Sequence, residues 1–472
     1  MIRKGLHIFC SLLIAFCLLL TSCKKDSFIT STNAKLSTSV DSLKFDTVFT
    51  SVGSITQFFK INNLNDQKLL LSKVKLMGID TSAFTINVNG IAAPEVNNIE
   101  VAANDSIYIF VTVNIDPTSA NLPFIIQDSI QIQYNGNTRY VQLQAYGQNA
   151  HFLTGETINS GTVSWTNDKP YVILDSLKIN AGAALRIFDG CKIYFHANAP
   201  FIVDGRLVVL GKKGNEVIFS GDRLDEGYKD LPASWPGIYF RESSSNSILT
   251  FAVIKNAYQA VVSLLPSSPN PTTTKVTLHQ CIIDNAYDAG ILSLASSIKA
   301  DNTLISNCGT NVSLLYGGNY TFTNCTVASY GNSFIEHRNP VLAVTDYNAT
   351  DDLNDLTATF TNCIFWGENG SVKDEVFVNT KGALFSAEFI NCIYKRETTD
   401  PLFADFSSSV AFRNQPPLFD SINVNRRYFD FHISNPNAPS FQSGAPISIL
   451  LQKDLDDNDR IAPFDIGCYE KQ

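Results

Sequence analysis

A histidine, an arginine and several carboxylates gather between Phe334 and Asp355: Glu336, His337, Arg338, Asp346, Asp351 and Asp352. A histidine among carboxylates has the donors and acceptors of general acid–base chemistry, and cleavage of a glycosidic bond needs two carboxylates set by a rigid scaffold. A second group is Asp454-Leu455-Asp456-Asp457-Asn458-Asp459, with Asp465 twelfth from Asp454. Oxygen ligands at alternate positions suit calcium, so Asp454, Asp456, Asn458 and Asp465 are the metal candidates. Asp459 stands where such a loop needs a turn-forming glycine, and no flanking helices are evident. The sequence therefore argues for no metal and no cofactor. A third group, Asp222, Arg223, Asp225 and Glu226 with Tyr228 and Lys229, leads into Trp235. It reads as a salt-linked loop, with a sugar contact on Trp235 or Tyr228 as the alternative.

What must position these groups is a repeat. Leu249-Thr250-Phe251-Ala252 aligns with Leu278-His279-Gln280-Cys281, Ala300-Asp301-Asn302-Thr303, Phe322-Thr323-Asn324-Cys325, Phe360-Thr361-Asn362-Cys363 and Phe389-Ile390-Asn391-Cys392. The last positions advance by 29, 22, 22, 38 and 29. A floor of 22 with variable excess describes a coil of fixed cross-section carrying loop insertions. The first column is apolar and suits an inward strand position. The third is mostly Asn, which tolerates left-handed backbone and suits a sharp bend. The fourth is small and suits a tight interior. Asn256-Ala257-Tyr258 recurs as Asn285-Ala286-Tyr287, and Asn307 follows one coil later. No helical periodicity is visible, so the prediction for residues 150–472 is a parallel β-helix of about a dozen coils. Crossover chirality favours the right-handed form. The six residues of the first group fall in the longest insertion, where binding commonly resides, but acidic loop tips are commonly just solvated. They are candidate binding residues, and none is assigned as catalytic.

Residues 37–148 alternate short apolar runs, such as Phe84–Val88 and Ile107–Val113, with Asn-Gly turns and Asp116-Pro117. This predicts a β-sandwich. Ahead of it, Arg3-Lys4 and the apolar run Ile8–Leu20 read as a signal peptide over 1–22. Residues 23–36 read as a tether. Ten cysteines fall to seven without Cys10, Cys17 and Cys23, an odd number at repeat spacing that reads as buried small side chains. The net charge of −9 argues against nucleic acid as a partner.

Three resemblances follow from these residues. Leu20-Thr21-Ser22-Cys23 resembles the lipobox of bacterial lipoproteins, which implies lipidation of Cys23, typically including palmitate. Lys24 after the cysteine implies the outer membrane, on an unspecified face. Phe58-Phe59-Lys60-Ile61 running into Asn62-Asn63, with a later strand leading into Asp116-Pro117, resembles immunoglobulin-like modules of bacterial surface proteins. Val203-Asp204-Gly205-Arg206-Leu207, Trp235-Pro236-Gly237-Ile238, Asp400-Pro401-Leu402-Phe403 and Asp465-Ile466-Gly467-Cys468-Tyr469-Glu470 resemble right-handed parallel β-helix proteins of the pectate-lyase-like superfamily, in particular Gram-negative lipoproteins of that fold. The Asn-Thr-Asp, Gly-His-Gly and Arg-Ile-Lys motifs of polygalacturonases are absent, and Asp-Asp occurs without them. The expected whole is an all-β, lipid-anchored envelope protein with an immunoglobulin-like β-sandwich and a right-handed single-stranded parallel β-helix. Its β-helix is read as a non-catalytic surface for a glycan or protein. The alternative is a polysaccharide lyase or glycoside hydrolase with an unfamiliar site.

Overall fold

The computed structural model describes residues 27–49, 56–79, 82–115, 124–225, 227–265, 273–397, 412–448 and 451–471. Cys23, residues 1–22 read above as a signal peptide, Asp116-Pro117, Glu226 and Asp400–Phe403 lie outside the described residues. The chain is all-β and divides into two compact units, residues 1–149 and 150–472.

The first unit is a β-sandwich. One sheet orders Leu36–Thr38, Gln57–Asn63, Ser106–Val113, Phe84–Val88 and Ile91–Ala92. The other orders Ser42–Phe49, Asn137–Gln148, Phe124–Tyr134, Leu69–Leu76 and Glu95–Val101. Pairings are antiparallel except that Asn137–Gln148 runs parallel to Ser42–Phe49. Alternating side chains such as Phe59, Ile61, Ile109 and Val111 meet Leu71, Val74 and Ile132 in the core. The buried Asn63 amide donates to Val101 O (3.1 Å) and Ala102 O (2.9 Å). The tether reading needs correction from Phe28 onward. Ile29 N donates to Lys68 O (2.8 Å), Asn135 Nδ2 donates to Ile29 O (2.9 Å), and Ala34 is buried. Backbone groups here find partners on the sandwich, so these residues belong to it.

The second unit is a parallel β-helix built from three stacks of strands. The first stack has eleven strands, from His151–Leu153 to Phe412–Arg413. The second runs from Glu156–Ile158 to Val376–Asn379, and the third from Thr162–Trp165 to Phe385–Ile390. In two middle coils the second and third stacks merge into the long strands Ala289–Asp301 and Thr310–Thr323. The described residues form nine complete coils followed by two further first-stack strands, fewer than the dozen expected, because insertions consume chain.

The predicted columns hold. Phe251, Gln280, Asn302, Asn324, Asn362 and Asn391 all have φ between 45° and 53° at the bend from the third stack to the first. Asn256, Asn285 and Asn307 do the same at the bend from the first to the second, with φ of 50–62°. Coils in register bring the amides together. Asn362 Nδ2 donates to Asn324 Oδ1 (3.0 Å) and Asn285 Nδ2 to Asn256 Oδ1 (2.8 Å). Behind the first bend, Ala252, Cys281, Thr303, Cys325, Cys363 and Cys392 are buried. Each thiol donates to a nearby carbonyl, as Cys281 Sγ does to Leu249 O (3.3 Å).

The C-terminal segment, residues 418–448 and 451–471, is a strap along the side of the helix. Several outward positions of the first stack are partly exposed in the coils before Leu304, as at Tyr194 and Val253, whereas Leu304, Ala328, Ile364, Trp366 and Ile393 are buried. Phe431, Leu455, Ile466 and Cys468 of the strap cover them. The strap reads the asparagine column directly. Asn362 Nδ2 donates to Ala445 O (3.0 Å), Ala445 N donates to Asn362 Oδ1 (2.7 Å), and Arg460 Nε donates to Asn302 Oδ1 (3.0 Å). Gly467 lies at φ 108°, where a Cβ would crowd Ile364 Cδ1 at 2.8 Å. Asn362→Ala therefore loses an αL-tolerant residue and leaves buried partners unpaired, at a cost of about 3 kcal/mol. Asn362→Gly keeps the backbone and loses less. Denaturation midpoints in urea check the order, and an alanine variant as stable as the parent would refute it.

Candidate functional site

The insertion that carries the first candidate group is split by the strand Leu342–Thr345 of the second stack. Four residues of strand span about 13 Å. Glu336, His337 and Arg338 lie before it, and Asp346, Asp351 and Asp352 lie after it, at opposite corners of the coil. The six residues do not form one site.

At the first corner His337 is buried, with its Nε2 2.8 Å from Glu375 Oε1. Glu375 belongs to the next coil and also accepts from Val341 N (3.3 Å). Gly367 makes room for this pair: a Cβ there would collide with both Glu375 Oε1 and His337 Nε2. His337 Nδ1 is buried without a partner among the described residues. A histidine and glutamate sealed from solvent have no route to a substrate. Glu336 and Arg338 pair with each other in solvent.

At the second corner Asp346 is fully buried and acts as an acceptor for the turn of the following coil. It takes Thr380 Oγ1 (2.6 Å), Lys381 N (2.8 Å), Gly382 N (3.2 Å) and Ala383 N (3.1 Å). Burial opposes its charge, yet these donors hold the carboxyl below its ordinary range. Asp351 pairs with Lys381, whose ammonium lies 4.3 Å from the Tyr347 ring centroid. Asp352 accepts from Asn348 Nδ2 (2.9 Å) and Thr350 Oγ1 (2.7 Å), which lower its pKa in that order. These carboxylates shape turns.

The calcium candidates are likewise spent on protein donors, backbone for Asp454 and Asp465 and side chains for Asp456. Asp454 Oδ1 accepts from Asp456 N (2.9 Å) and Asn458 N (2.8 Å), and its Oδ2 accepts from Glu470 N (3.0 Å). Asp465 accepts from Gln442 N (2.6 Å) and Lys471 N (2.8 Å). Asn458 Nδ2 points toward Asp454, and Asp456 faces Lys213 Nζ (2.5 Å) and His432 Nε2 (2.8 Å). The four residues do not converge as an oxygen cage.

His432 is a site that the sequence did not single out. Its Nδ1 meets Asp430 Oδ1 (2.5 Å), and its ring stacks on Tyr469 with centroids 3.8 Å apart. A cavity of about 290 Å³ opens beside it, lined by Asp420, Asp430, Ser434, Asp456 and Tyr469. The bond to Asp456, against burial and aided by Asp430, pushes His432 up to about 9. Asp456 is held down at about 2, first by His432 and, against burial, by Lys213. With both ring nitrogens donating to carboxylates, His432 is an imidazolium and has no lone pair for base catalysis. It pins the strap to Lys213, far back in the helix. Trp235 is buried, stacks on Phe195 with centroids 4.4 Å apart, and donates to Lys255 O (2.9 Å). The sugar-contact alternative for Trp235 is thus corrected: the ring is core. Arg223 pairs with Asp225 (2.8 Å) and lies over the Tyr228 ring at 3.8 Å. The buried Lys275 ammonium donates to Arg241 O (3.0 Å) and Leu264 O (2.5 Å), and burial lowers it to about 8.

Two outcomes follow. His337→Ala strands a buried glutamate and lowers stability by about 3 kcal/mol, more than His337→Gln does; unfolding midpoints check this. The strap responds to pH. His432 is raised above its unfolded value near 6.5, so its contribution is full below that and fades as pH climbs through about 9. Asp456 is lowered, so its contribution holds above about 4 and fades as pH falls through about 2. Amide-exchange protection of Phe429–Phe431 and Leu455 peaks between those limits, and His432→Gln flattens the alkaline side.

No known protein family and no curated protein matches the sequence. Solved structures with partial likeness include a family 123 glycoside hydrolase from Clostridium perfringens, 9% identical over 24% of this chain and 26% of that one, TM-score 0.18. The VesB protease of Vibrio cholerae is 12% identical over 24% of this chain and 31% of that one, TM-score 0.18. A protein of unknown function from Porphyromonas gingivalis W83 is 10% identical over 27% of this chain and 59% of that one, TM-score 0.18. The chain spans less than two thirds of the length of each of them, and such likenesses bear on no activity.

Proposed function

We propose that this protein is a lipid-anchored envelope protein whose right-handed, pectate-lyase-like β-helix is a rigid, non-catalytic surface for binding a glycan or a protein. One observation carries the reading. His337, Asp346, Asp351 and Asp352 of the longest insertion are spent on holding coils and turns together, Glu336 pairs with Arg338 in solvent, and the two halves of the insertion stand at opposite corners. General acid–base work on a glycosidic bond needs two carboxyl groups facing one open space, at about 5–10 Å. Here Asp346 serves four donors of the next coil and His337 is sealed against Glu375.

Anchoring is part of the proposal. Arg3-Lys4, the apolar run and Leu20-Thr21-Ser22-Cys23 support a processed, acylated N-terminus in the outer membrane. Acyl chains contribute about 0.8 kcal/mol per buried CH₂, so more than one makes a stable anchor. No helix of the described residues is long and apolar enough to cross a membrane.

Two measurements test this. Incubation with acidic and neutral polysaccharides, with and without calcium, yields no new reducing ends and no unsaturated products. Reproducible cleavage that disappears in the exposed variant Asp351→Ala would overturn the non-catalytic reading. Radioactive palmitate labels the parent chain in cells and fails to label Cys23→Ala; equal labelling of both removes the anchor.

A further inference from the structure

At the bend from the first stack to the second, two tyrosines stand out. Tyr258 and Tyr287 occupy the same place in successive coils, two residues after the αL asparagines Asn256 and Asn285. Their rings stack with centroids 5.9 Å apart and an interplanar angle of 25°, and they are 44% and 52% exposed. The fold does not need them. In the next coil Asn307-Cys308-Gly309 makes the same bend, with Gly309 N donating to Ala286 O (3.0 Å) and Thr310 N to Asp288 O (2.8 Å). A Cβ on Gly309 would collide with Tyr287 O, so the file of rings ends there in a step.

The surroundings are built. Asn256 Nδ2 donates to Lys229 O (2.7 Å) and Asn285 Nδ2 to Asp230 O (3.0 Å), which fixes the preceding insertion alongside the bend. Asn339 Nδ2 of the later insertion donates to Gly309 O (3.2 Å) at the step. Gln259 and Asp288, each next in sequence to a tyrosine, pair through Gln259 Nε2 donating to Asp288 Oδ2 (2.7 Å), which leaves the Gln259 side-chain carbonyl and the second Asp288 oxygen as acceptors.

We infer that Tyr258 and Tyr287 form a stacking platform for a neutral glycan, with Gln259 and Asp288 accepting its hydroxyls. This rests on the binding-surface reading above and names its ligand class. Area argues against a protein partner: two half-exposed tyrosines offer on the order of 200 Å², against about 800 Å² per side in a standard protein interface. Charge argues against an acidic polysaccharide, because Asp288 borders the rings and the chain carries −9 overall. An aromatic face next to fixed acceptors matches a sugar ring, which is apolar on its C–H face and polar at its rim.

Affinity electrophoresis of the full chain against soluble β-glucan, mannan and polygalacturonate tests the platform. The expected result is retardation by a neutral glycan, weakened at least about tenfold in Tyr258→Ala/Tyr287→Ala at an unchanged melting temperature, with none by polygalacturonate. Phe58→Ala, in the exposed aromatic cluster of Phe58, Tyr108 and Phe110 on the sandwich, leaves binding unchanged. Equal binding by the double variant, loss on Phe58→Ala instead, preference for polygalacturonate, or no retardation by either neutral glycan each overturns the platform. The non-catalytic reading falls separately, only if cleavage products appear.

Discussion

The left-handed bend residue is the constraint on which the β-helix depends. A coil closes with a constant cross-section only if the chain turns sharply at the same place every time, and αL backbone does this in one residue. For most side chains that conformation costs roughly 1–2 kcal/mol, and asparagine bears it with the least penalty after glycine. Phe251 and Gln280 show that the geometry persists where the residue type drifts, because neighbouring coils impose it through in-register backbone bonds. Asparagine adds an amide that bonds to the next coil, so Asn324 and Asn362 are both bend and rivet.

The same column recruits the strap. An amide lying at a corner has bonding capacity left over for whatever passes outside. Asn302 accepts from Arg460, Asn362 exchanges two bonds with Ala445, and Asn391 donates to Ser443 O (2.7 Å). From Leu304 onward the outward face of the first stack is mostly apolar, with Leu304, Ala328, Ile364, Trp366 and Ile393, and such a face left uncovered would favour association. The strap closes it with Phe431, Leu455 and Ile466. The motif Asp465–Glu470 thus seals a side of the helix: Asp465 orders a turn, Gly467 admits close approach, and Glu470 pairs with the buried Arg460 (3.0 Å).

Rigidity and catalysis compete for the same side chains here. A buried carboxylate that organises four donors is preorganised, but it has no lone pair left for a substrate. Asp346 takes that role, Asp454 and Asp465 are turned to backbone donors in the same manner, and the cysteines are spent in the interior, where burial pushes the Cys281 thiol up to about 12. The exposed polar and aromatic residues of the bends are the groups with capacity to spare.

Repeat register was legible in the residues alone. The spacing of Asn302, Asn324, Asn362 and Asn391 and the small residue after each sufficed for a parallel β-helix, because side-chain types at a strained bend are limited by local sterics. The alternation in Phe84–Val88 and Ser106–Val113 sufficed for the sandwich in the same way. Partners of polar groups were not legible. Asp346 meets Thr380 to Ala383, His337 meets Glu375, and Asp456 meets Lys213, across 34 to 243 positions. Nothing near Asp346 or His337 distinguishes a carboxylate that will bind a ligand from one that will hold a turn. Only stacking of the coils decides which oxygen faces which donor. Local backbone sterics therefore set the architecture from the sequence, and the long-range pairing of charges, on which any chemistry depends, belongs to the tertiary structure.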